Sequence, residues 1–301
     1  MASPSPRNSA LAPVAAVVAG IAAFSAMDAT IKSAALTVGI YSALLWRNGL
    51  GTAMILPVWL ASKPKWPVRR VLAIHLLRST VNSGMALLFF VALTRLPMAE
   101  GMALSFIAPL IALYLAAVLL GERIRRAAIF ASLLGLAGVV VIVVERLGSG
   151  TADRQAFIGI AAVLASAVLY AVNLVLQRKQ ALLAGPVEIA LFQNLVVGSI
   201  LALFAPWFAV VPSAQVLGVI ILGAGLATAA LLLLAWGYAR AEAQVLLPIE
   251  YTGFVSAALF GWLCFDEPVS GATSLGAALI VLGCWIGTRK ADGEHLEQTS
   301  A

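Results

Sequence analysis

The chain has 301 residues, of which 62% are hydrophobic and only 11% are charged. Soluble domains carry about 25% charged residues, so a soluble protein of this composition could not cover its surface with polar groups. The net charge of +6 comes from basic residues in short gaps between apolar segments, which excludes a clustered nucleic-acid-binding face and makes a lipid bilayer the expected surroundings.

Ten segments are long and apolar enough to be membrane-spanning helices, which need roughly 20 apolar residues each. In chain order they are 12–32, 40–61, 71–93, 98–119, 127–145, 156–177, 187–210, 214–238, 243–264 and 271–288. The gaps contain helix breakers such as Pro97, Pro212 and Pro268. Barrel strands are about 10 residues long and alternate in polarity, so the pattern predicts an all-α integral membrane protein with ten transmembrane helices.

The Lys and Arg residues of the gaps predict the orientation, because cytoplasmic loops carry an excess of both. The even-numbered gaps and the two tails hold 13 of these residues, and the odd-numbered gaps hold 4. Both termini are therefore expected in the cytoplasm. The first span also resembles a secretory signal peptide, but it is long for one and has a partner in the second half of the chain.

The sequence contains an internal repeat. At an offset of 145 residues Asp28 falls on Asn173, Arg95 on Arg240, Glu122 on Glu267 and Gly138 on Gly283. One further residue of offset pairs Arg47-Asn48 with Gln193-Asn194. We expect a duplication of five spans, and an odd number of spans inverts the second copy relative to the first.

The repeat divides the chain into five parts. They are an N-terminal cytoplasmic tail (1–11), repeat 1 (12–146), an external linker (147–155), repeat 2 (156–289) and a C-terminal cytoplasmic tail (290–301). Inverted repeats of this kind occur in many secondary transporters, whose substrate site lies between the halves near the membrane midplane.

The segment "ALTRLPMAEGMALSFIAPLIALYLAAVLLGER", followed by "GLAGVVVIV", resembles the EamA-type repeat of the drug/metabolite transporter superfamily. In the second half the helix-four proline position is Phe254, and Gly-Glu becomes Asp266-Glu267, as in a diverged copy. The resemblance implies a ten-helix carrier of small metabolites in a bacterial-type inner (plasma) membrane, with a central cavity. The segments "MDATIK" and "MAEGMALSF" also resemble a branch of this superfamily that contains uptake carriers for adenosylmethionine-like or riboflavin-like cofactors.

Three carboxylates are singled out. Glu122 and Glu267 stand just before a helix, where a carboxylate meets exposed N–H groups, so a structural role is favoured over proton coupling. Glu250 lies about 12 Å into the ninth span at 1.5 Å per residue. It is expected either to line the substrate path or to make a buried hydrogen bond.

His75, Arg78 and Asn82 share one face of the third span. Arg78 and Asn82 are expected to line the cavity, or to pair with an acid, whereas His75 is expected near the membrane surface. The aromatic residues Phe106, Tyr170 and Tyr251 are candidate walls of the substrate site, with interfacial belts as the alternative.

Asp28 and Lys32 interrupt the apolar first span with i, i+4 spacing. Lys32 is expected to anchor the helix end at the interface. Asp28 is expected to flank the cavity together with its counterpart Asn173. It would act either as a substrate contact or as a gate with Arg47 or Lys32.

The sequence thus predicts a secondary transporter that carries a small-molecule substrate by alternating access. Protons as coupling ion, uniport and exchange all fit, as does a monomer or a homodimer through small-residue helix faces. An integral-membrane enzyme acting on a lipid-soluble substrate is the alternative, although no catalytic or metal-binding motif is found. No cofactor, metal or nucleic acid is expected, and Cys264 and Cys284 are expected to be small apolar residues.

Overall fold

The structure, a computed structural model, describes residues 6–63, 66–108, 110–112, 114–115, 126–148, 154–181, 183–238 and 251–298. These residues are almost entirely helical and form no strand. The helices are α1 (Pro6–Val38), α2 (Ile40–Ala61), α3 (Arg69–Leu93), α4 (Met98–Ser105), α5 (Arg126–Gly148), α6 (Arg154–Ala181), α7 (Pro186–Ala202), α8 (Ala205–Phe208), α9 (Ala214–Tyr238), α10 (Thr252–Phe265) and α11 (Gly271–Gln298).

Several of these helices have the length and composition of membrane spans. Among the described residues, the segments long and apolar enough to cross a bilayer are Ala12–Val38, Arg69–Leu93, Arg154–Gln177 and Ala214–Leu234. Shorter apolar helices include Pro186–Ala202, Thr252–Phe265 and Gly271–Gly283. The predicted spans 98–119 and 243–264 reach beyond the described residues, so the count of ten stays a prediction.

The junction of α1 and α2 is tighter than predicted. Only Gly39 separates the two helices, with φ 82° and ψ 153°. A positive φ is readily adopted by glycine because it has no Cβ. Helix α1 therefore continues to Val38 instead of ending near residue 32, and Lys32 lies inside the helix.

The predicted span 187–210 is not one helix. Helix α7 ends at Ala202, and the short helix α8 follows after a turn at residues 203–204. In a continuous helix the ring of Pro206 would clash with the carbonyl of Ala202, four residues earlier, and Pro206 has no N–H to donate. The proline lies instead in the first turn of α8, where its missing N–H costs little.

The outer surface of the helices is apolar. On α5, Leu133, Leu136, Val140 and Val144 follow each other at helical spacing and are each between 50% and 63% exposed. Conversely, the charged residues Asp28, Lys32, Arg78 and Glu100 are buried. An apolar exterior around charged interior groups is the distribution expected of a multi-pass membrane protein.

The principal contacts between the two halves of the chain are symmetric: they stay the same when equivalent helices of the halves are swapped. Six of these contacts form three equivalent pairs: α1–α9 corresponds to α3–α6, α1–α10 to α4–α6, and α2–α9 to α3–α7. Three further contacts each join a helix to its own equivalent, namely α2–α7, α4–α10 and α5–α11. Swapping α1 with α6, α2 with α7, α3 with α9, α4 with α10, and α5 with α11 maps this set onto itself. The three contacts between equivalent helices therefore lie on the axis of exchange between the halves.

Helices α5 and α11 approach each other through glycines. A Cβ on Gly138 would lie 2.5 Å from the carbonyl oxygen of Gly276, and a Cβ on Gly276 would lie 2.7 Å from that of Gly138. A Cβ on Gly135 would meet the side chain of Leu110. Small residues on this face thus allow close backbone packing within the chain.

Candidate functional site

A cavity of about 70 Å³ lies between the halves of the chain, where α1, α2, α7 and α9 meet. It is lined by Phe24, Arg47, Gly51, Ala190, Gln193, Asn194, Ala224, Ala227, Thr228 and Leu231. Both halves contribute polar groups to an otherwise apolar wall. A concave, largely apolar site with a few convergent polar groups is typical of small-molecule binding.

The crossing of α2 and α7 forms one wall of this cavity, and its contacts are reciprocal. A Cβ on Gly51 would lie 3.0 Å from Asn194 Cγ, and a Cβ on Gly198 would lie 3.6 Å from Asn48 Cβ. Each helix thus places a glycine beside an asparagine of the other helix. This geometry brings Arg47 and its repeat counterpart Gln193 to the same cavity.

Arg47 has few hydrogen-bonding partners among the described residues. Its Nη1 donates to Met27 Sδ at 3.6 Å, and this is its one hydrogen bond to the described residues. Asp28 is buried and close enough to interact electrostatically with Arg47, but no ion pair within 4.0 Å joins them in the described part of the chain. The ion pair of Asp28 with Arg47 or Lys32 that the expected gate requires is therefore not formed among the described residues, and the gate stays a prediction.

The sequence predicted that Lys32 anchors the helix at a surface, but in the structure it does not. It is 3% exposed, and its Nζ pairs with Glu267 Oε1 and donates to the Leu96 carbonyl at 3.2 Å. Its ammonium also lies 4.7 Å from the centre of the Phe265 ring, a favourable cation–π position. The reason for the difference is the continuation of α1 past residue 32, which carries Lys32 into the protein.

Glu267 joins the halves at the same end of the bundle. Its Oε2 accepts the N–H of Met98, the first residue of α4, at 2.8 Å. A carboxylate at a helix N-terminus satisfies a free N–H group and the positive end of the dipole. The sequence predicted a structural carboxylate before α11, whereas this contact is to α4 in the other repeat. We call the Lys32–Glu267 pair with the Met98 N–H the lock.

Further charged groups surround the lock. Glu100 Oε2 lies 3.6 Å from Arg146 Nε, and Glu145 Oε2 accepts the hydroxyl of Ser270 at 2.7 Å. The first contact joins α4 to α5, and the second joins α5 to the loop before α11.

A second polar cluster, on α3, α6 and α7, lies at the opposite end. Arg78 donates to Asn173 Oδ1 at 3.0 Å, to Gln180 Oε1 at 2.5 Å and to Gln177 Oε1 at 3.4 Å. The sequence predicted that Arg78 and Asn173 line the substrate site. In this structure they bind each other outside the described cavity lining, and the guanidinium is occupied by three amide groups.

His75 belongs to this second cluster. It is fully buried, accepts from Gln180 Nε2 at 2.6 Å and donates to Glu188 Oε1 at 3.1 Å. Its ring also stacks on Phe192 with centroids 4.6 Å apart. The expectation that the side chain reaches out to the membrane surface is wrong, because neighbouring helices cover the ring and supply partners for both ring nitrogens.

The remaining predicted site residues lie elsewhere. Phe106 and Tyr251 contact each other edge to face with centroids 5.3 Å apart, between α4 and α10. Asn82 is buried on α3, and Tyr170 is half-buried on α6. Glu122 and Glu250 lie outside the described residues, so their roles stay predictions.

Gln193, Asn194 and Thr228 line the cavity but were not among the predicted site residues. The repeat held a signal for two of them, because Gln193-Asn194 is the counterpart of Arg47-Asn48. Thr228 carried no such signal in a helix that is apolar throughout its middle. Among the described residues, no group of His, Cys, Asp and Glu side chains could hold a metal ion.

Known proteins resemble this chain over most of its length. It is 26% identical over 263 residues to the pseudopaline exporter CntI of Pseudomonas aeruginosa, covering 87% of this chain and 90% of that protein. It is 31% identical over 209 residues to the aromatic amino acid exporter YddG of Ancylobacter novellus, covering 68% and 72%. A protein of known crystal structure, 26% identical, superposes with a TM-score of 0.62 over 94% of this chain and 99% of its own.

The sequence model of the EamA-like transporter family matches twice, at residues 11–144 and 157–288. The two matches together cover most of the chain and correspond to its two halves. With the exporters that resemble it, this match confirms the predicted family and a role in membrane transport of small molecules. The chain is a member of the EamA-like transporter family of the drug/metabolite transporter type.

Proposed function

We propose that the chain is a secondary transporter that exposes one central cavity to the two sides of the inner membrane in turn. The cavity lies between the halves, and Arg47 and Gln193, equivalent residues of the two repeats, both line it. This observation carries the proposal, because a site between two inverted repeats can be opened to either side by rocking one half against the other.

Ten transmembrane helices in two inverted repeats, 12–146 and 156–289, are part of this proposal. The exchange symmetry of the principal helix contacts supports it, since each of the nine contacts named above has a counterpart or is its own counterpart. The excess of Lys and Arg in the even-numbered gaps and the tails supports cytoplasmic termini. In that orientation the lock lies at the external face and the Arg78 cluster at the cytoplasmic face.

The lock is proposed as the external gate. It bridges α1, the loop before α11 and the start of α4, so opening this face must break a largely buried ion pair and a helix cap. At the repeat offset of 145 residues, Lys32 corresponds to Gln177 and Glu267 to Glu122. The cation of the lock therefore has no charged counterpart in the other half. With the lock formed, the external face is the closed one, and the resting protein is proposed to be open to the cytoplasm.

Export is the proposed direction. A carrier that rests open to the cytoplasm takes up its cargo there, and the relatives CntI and YddG are both named exporters. Their names, pseudopaline and aromatic amino acid exporter, support a small organic metabolite as substrate. Proton coupling and exchange against a second metabolite are both compatible with this cycle.

Counterflow in proteoliposomes tests the proposal. The purified chain is reconstituted with an excess of unlabelled L-phenylalanine inside, and the transient entry of labelled L-phenylalanine is followed. The other amino acids, nucleosides and organic acids are tested in the same way. We expect saturable entry for one chemical class, absent from liposomes without protein. Conversion of a compound without its transfer across the bilayer would contradict a carrier.

A further inference from the structure

Arg47 lines the cavity, and the described residues leave most of the hydrogen-bonding capacity of its guanidinium unused. An arginine side chain has five N–H donors and no acceptor. Within the described residues, Arg47 uses one of them, on the weak acceptor Met27 Sδ. A partly buried guanidinium in a low-dielectric protein interior is costly unless an anion or several acceptors bind it.

Gln193 faces the same cavity from α7. Its side-chain amide makes no hydrogen bond to the described residues, so its NH₂ group is available to a ligand. Asn194 differs, because its Nδ2 already donates to the Ala190 carbonyl at 3.1 Å. Arg47 and Gln193, one from each repeat, therefore line the same cavity with donors that no described residue uses.

The other polar group of the cavity is an acceptor. The Thr228 hydroxyl donates to the Ala224 carbonyl at 2.9 Å, which leaves its oxygen lone pairs for the cavity. None of the described lining residues is acidic. Asp28 lies one helical turn beyond the lining residue Phe24, on the same face of α1. The cavity thus combines strong donors with a nearby carboxyl group that forms no ion pair with Arg47 within 4.0 Å.

The size of the cavity limits what it can hold. Its volume of about 70 Å³ is well below the ~300–1,000 Å³ of sites that enclose a whole small molecule. It is large enough for a head group of a few atoms, since a water molecule takes about 30 Å³ in the liquid. The remainder of a metabolite would contact the apolar wall once the halves separate.

We propose that Arg47 and Gln193 bind a carboxylate group of the transported molecule. A carboxylate has only acceptors, and it matches the two parallel N–H groups of a guanidinium. This inference rests on the proposed function in one respect, namely that the bound ligand is the transported molecule. The binding itself can be tested without transport. It also gives Arg47 a different role from the gate with Asp28 that the sequence suggested.

Matched ligands test the site. Phenylacetate and phenylglycine carry the carboxylate, and 2-phenylacetamide has the shape of phenylacetate without the charge. Each is titrated into the purified full-length chain, and binding is measured by the shift of the thermal unfolding midpoint and by isothermal calorimetry. We expect both acids to bind and the amide to bind at least about tenfold more weakly, as the loss of a charge-assisted hydrogen bond implies.

Variants identify the residue. Arg47→Gln should weaken both acids by about tenfold or more and leave the amide unchanged, whereas Arg47→Lys should retain part of the affinity. Arg154→Gln, which removes an exposed charge outside the cavity, is the matched control. Ligand-free unfolding midpoints show that each variant is folded. If Arg47→Gln does not fold, the partial loss in Arg47→Lys decides the question.

The two acids distinguish two sources of the carboxylate. Tighter binding of phenylglycine, lost in Asp28→Asn, shows a zwitterion whose ammonium uses the acceptors at Asp28 and Thr228. Equal or tighter binding of phenylacetate shows a simple organic anion, and either result supports the carboxylate site. Failure of both acids to bind, equal binding of the amide, or unchanged binding in Arg47→Gln would overturn it. Binding without counterflow would instead count against the proposed transport.

Discussion

Lys32→Gln is expected to reduce the initial rate of counterflow by at least about tenfold, because it removes the cation of the lock and leaves the largely buried Glu267 without it. Removing one partner of a buried ion pair costs about 3–5 kcal/mol. A penalty of that size on the externally closed state shifts its population by about 10² or more. A carrier that closes poorly on one side completes fewer cycles.

A double-mutant cycle separates the lock from other effects. Lys32→Gln/Glu267→Gln removes both charges of the pair, so no unpaired charge is left behind. The amide oxygen of the glutamine that replaces Glu267 can still accept the Met98 N–H. We therefore expect the double variant to transport faster than Lys32→Gln alone, with a coupling between the two sites of at least about 1 kcal/mol. Arg154→Gln should transport as the wild type does. Additive effects of the two substitutions would show that they do not act as a pair.

Arg78→Met is expected to lower stability by on the order of 3 kcal/mol, the second large effect. The substitution removes a guanidinium that three side-chain amides bind, and each hydrogen bond to a charged group contributes about 1.5–3 kcal/mol. Part of this loss is recovered because the methionine fills some of the space. The free energy of unfolding is measured by reversible denaturation in mixed micelles.

Arg69→Met, an exposed arginine at the start of the same helix, is the control and should be near neutral. Counterflow per folded molecule should fall much less in Arg78→Met than in Lys32→Gln, because Arg78 lies outside the cavity. A stable Arg78→Met protein that no longer transports would instead place Arg78 in the substrate path, as the sequence had indicated.

The membrane class, the repeat and the family follow from features that one sequence carries. Apolar segments of about 20 residues are diagnostic of spanning helices whatever their packing. The repeat offset also pairs Arg47 with Gln193, and in the structure these two residues line the same cavity. An internal repeat therefore carries information on long-range geometry that periodicity within one helix does not.

Individual partners could not be predicted in the same way. Lys32 pairs with a carboxylate 235 residues away, and no local pattern identifies which of several acids will reach it. The expected role of Lys32 as an interfacial anchor is also wrong, because it assumes that α1 ends where its charges begin. The turn to the next helix needs only Gly39, so the residues between Lys32 and Gly39 remain part of α1.

Shared helix faces predicted burial better than they predicted function. His75, Arg78 and Asn82 are all buried, as polar residues on one face of a membrane helix should be. The face packs on α6 and α7, so it contributes to the contact between the halves more than to the described cavity. A polar face of a membrane helix can either line a cavity or pack on another helix, and the side chains of the neighbouring helices determine which of the two occurs.

Sided labelling of the cavity tests the central claim most directly. Ala227, which lines the cavity, is replaced by Cys in a Cys264→Ser/Cys284→Ser background, and a membrane-impermeant maleimide is applied to right-side-out and inverted vesicles. We expect fast labelling from the cytoplasmic side and slow labelling from the external side, with external labelling strongly increased by Lys32→Gln. Labelling at equal rates from both sides, unchanged by Lys32→Gln, would contradict a cavity that opens to one face at a time behind the lock.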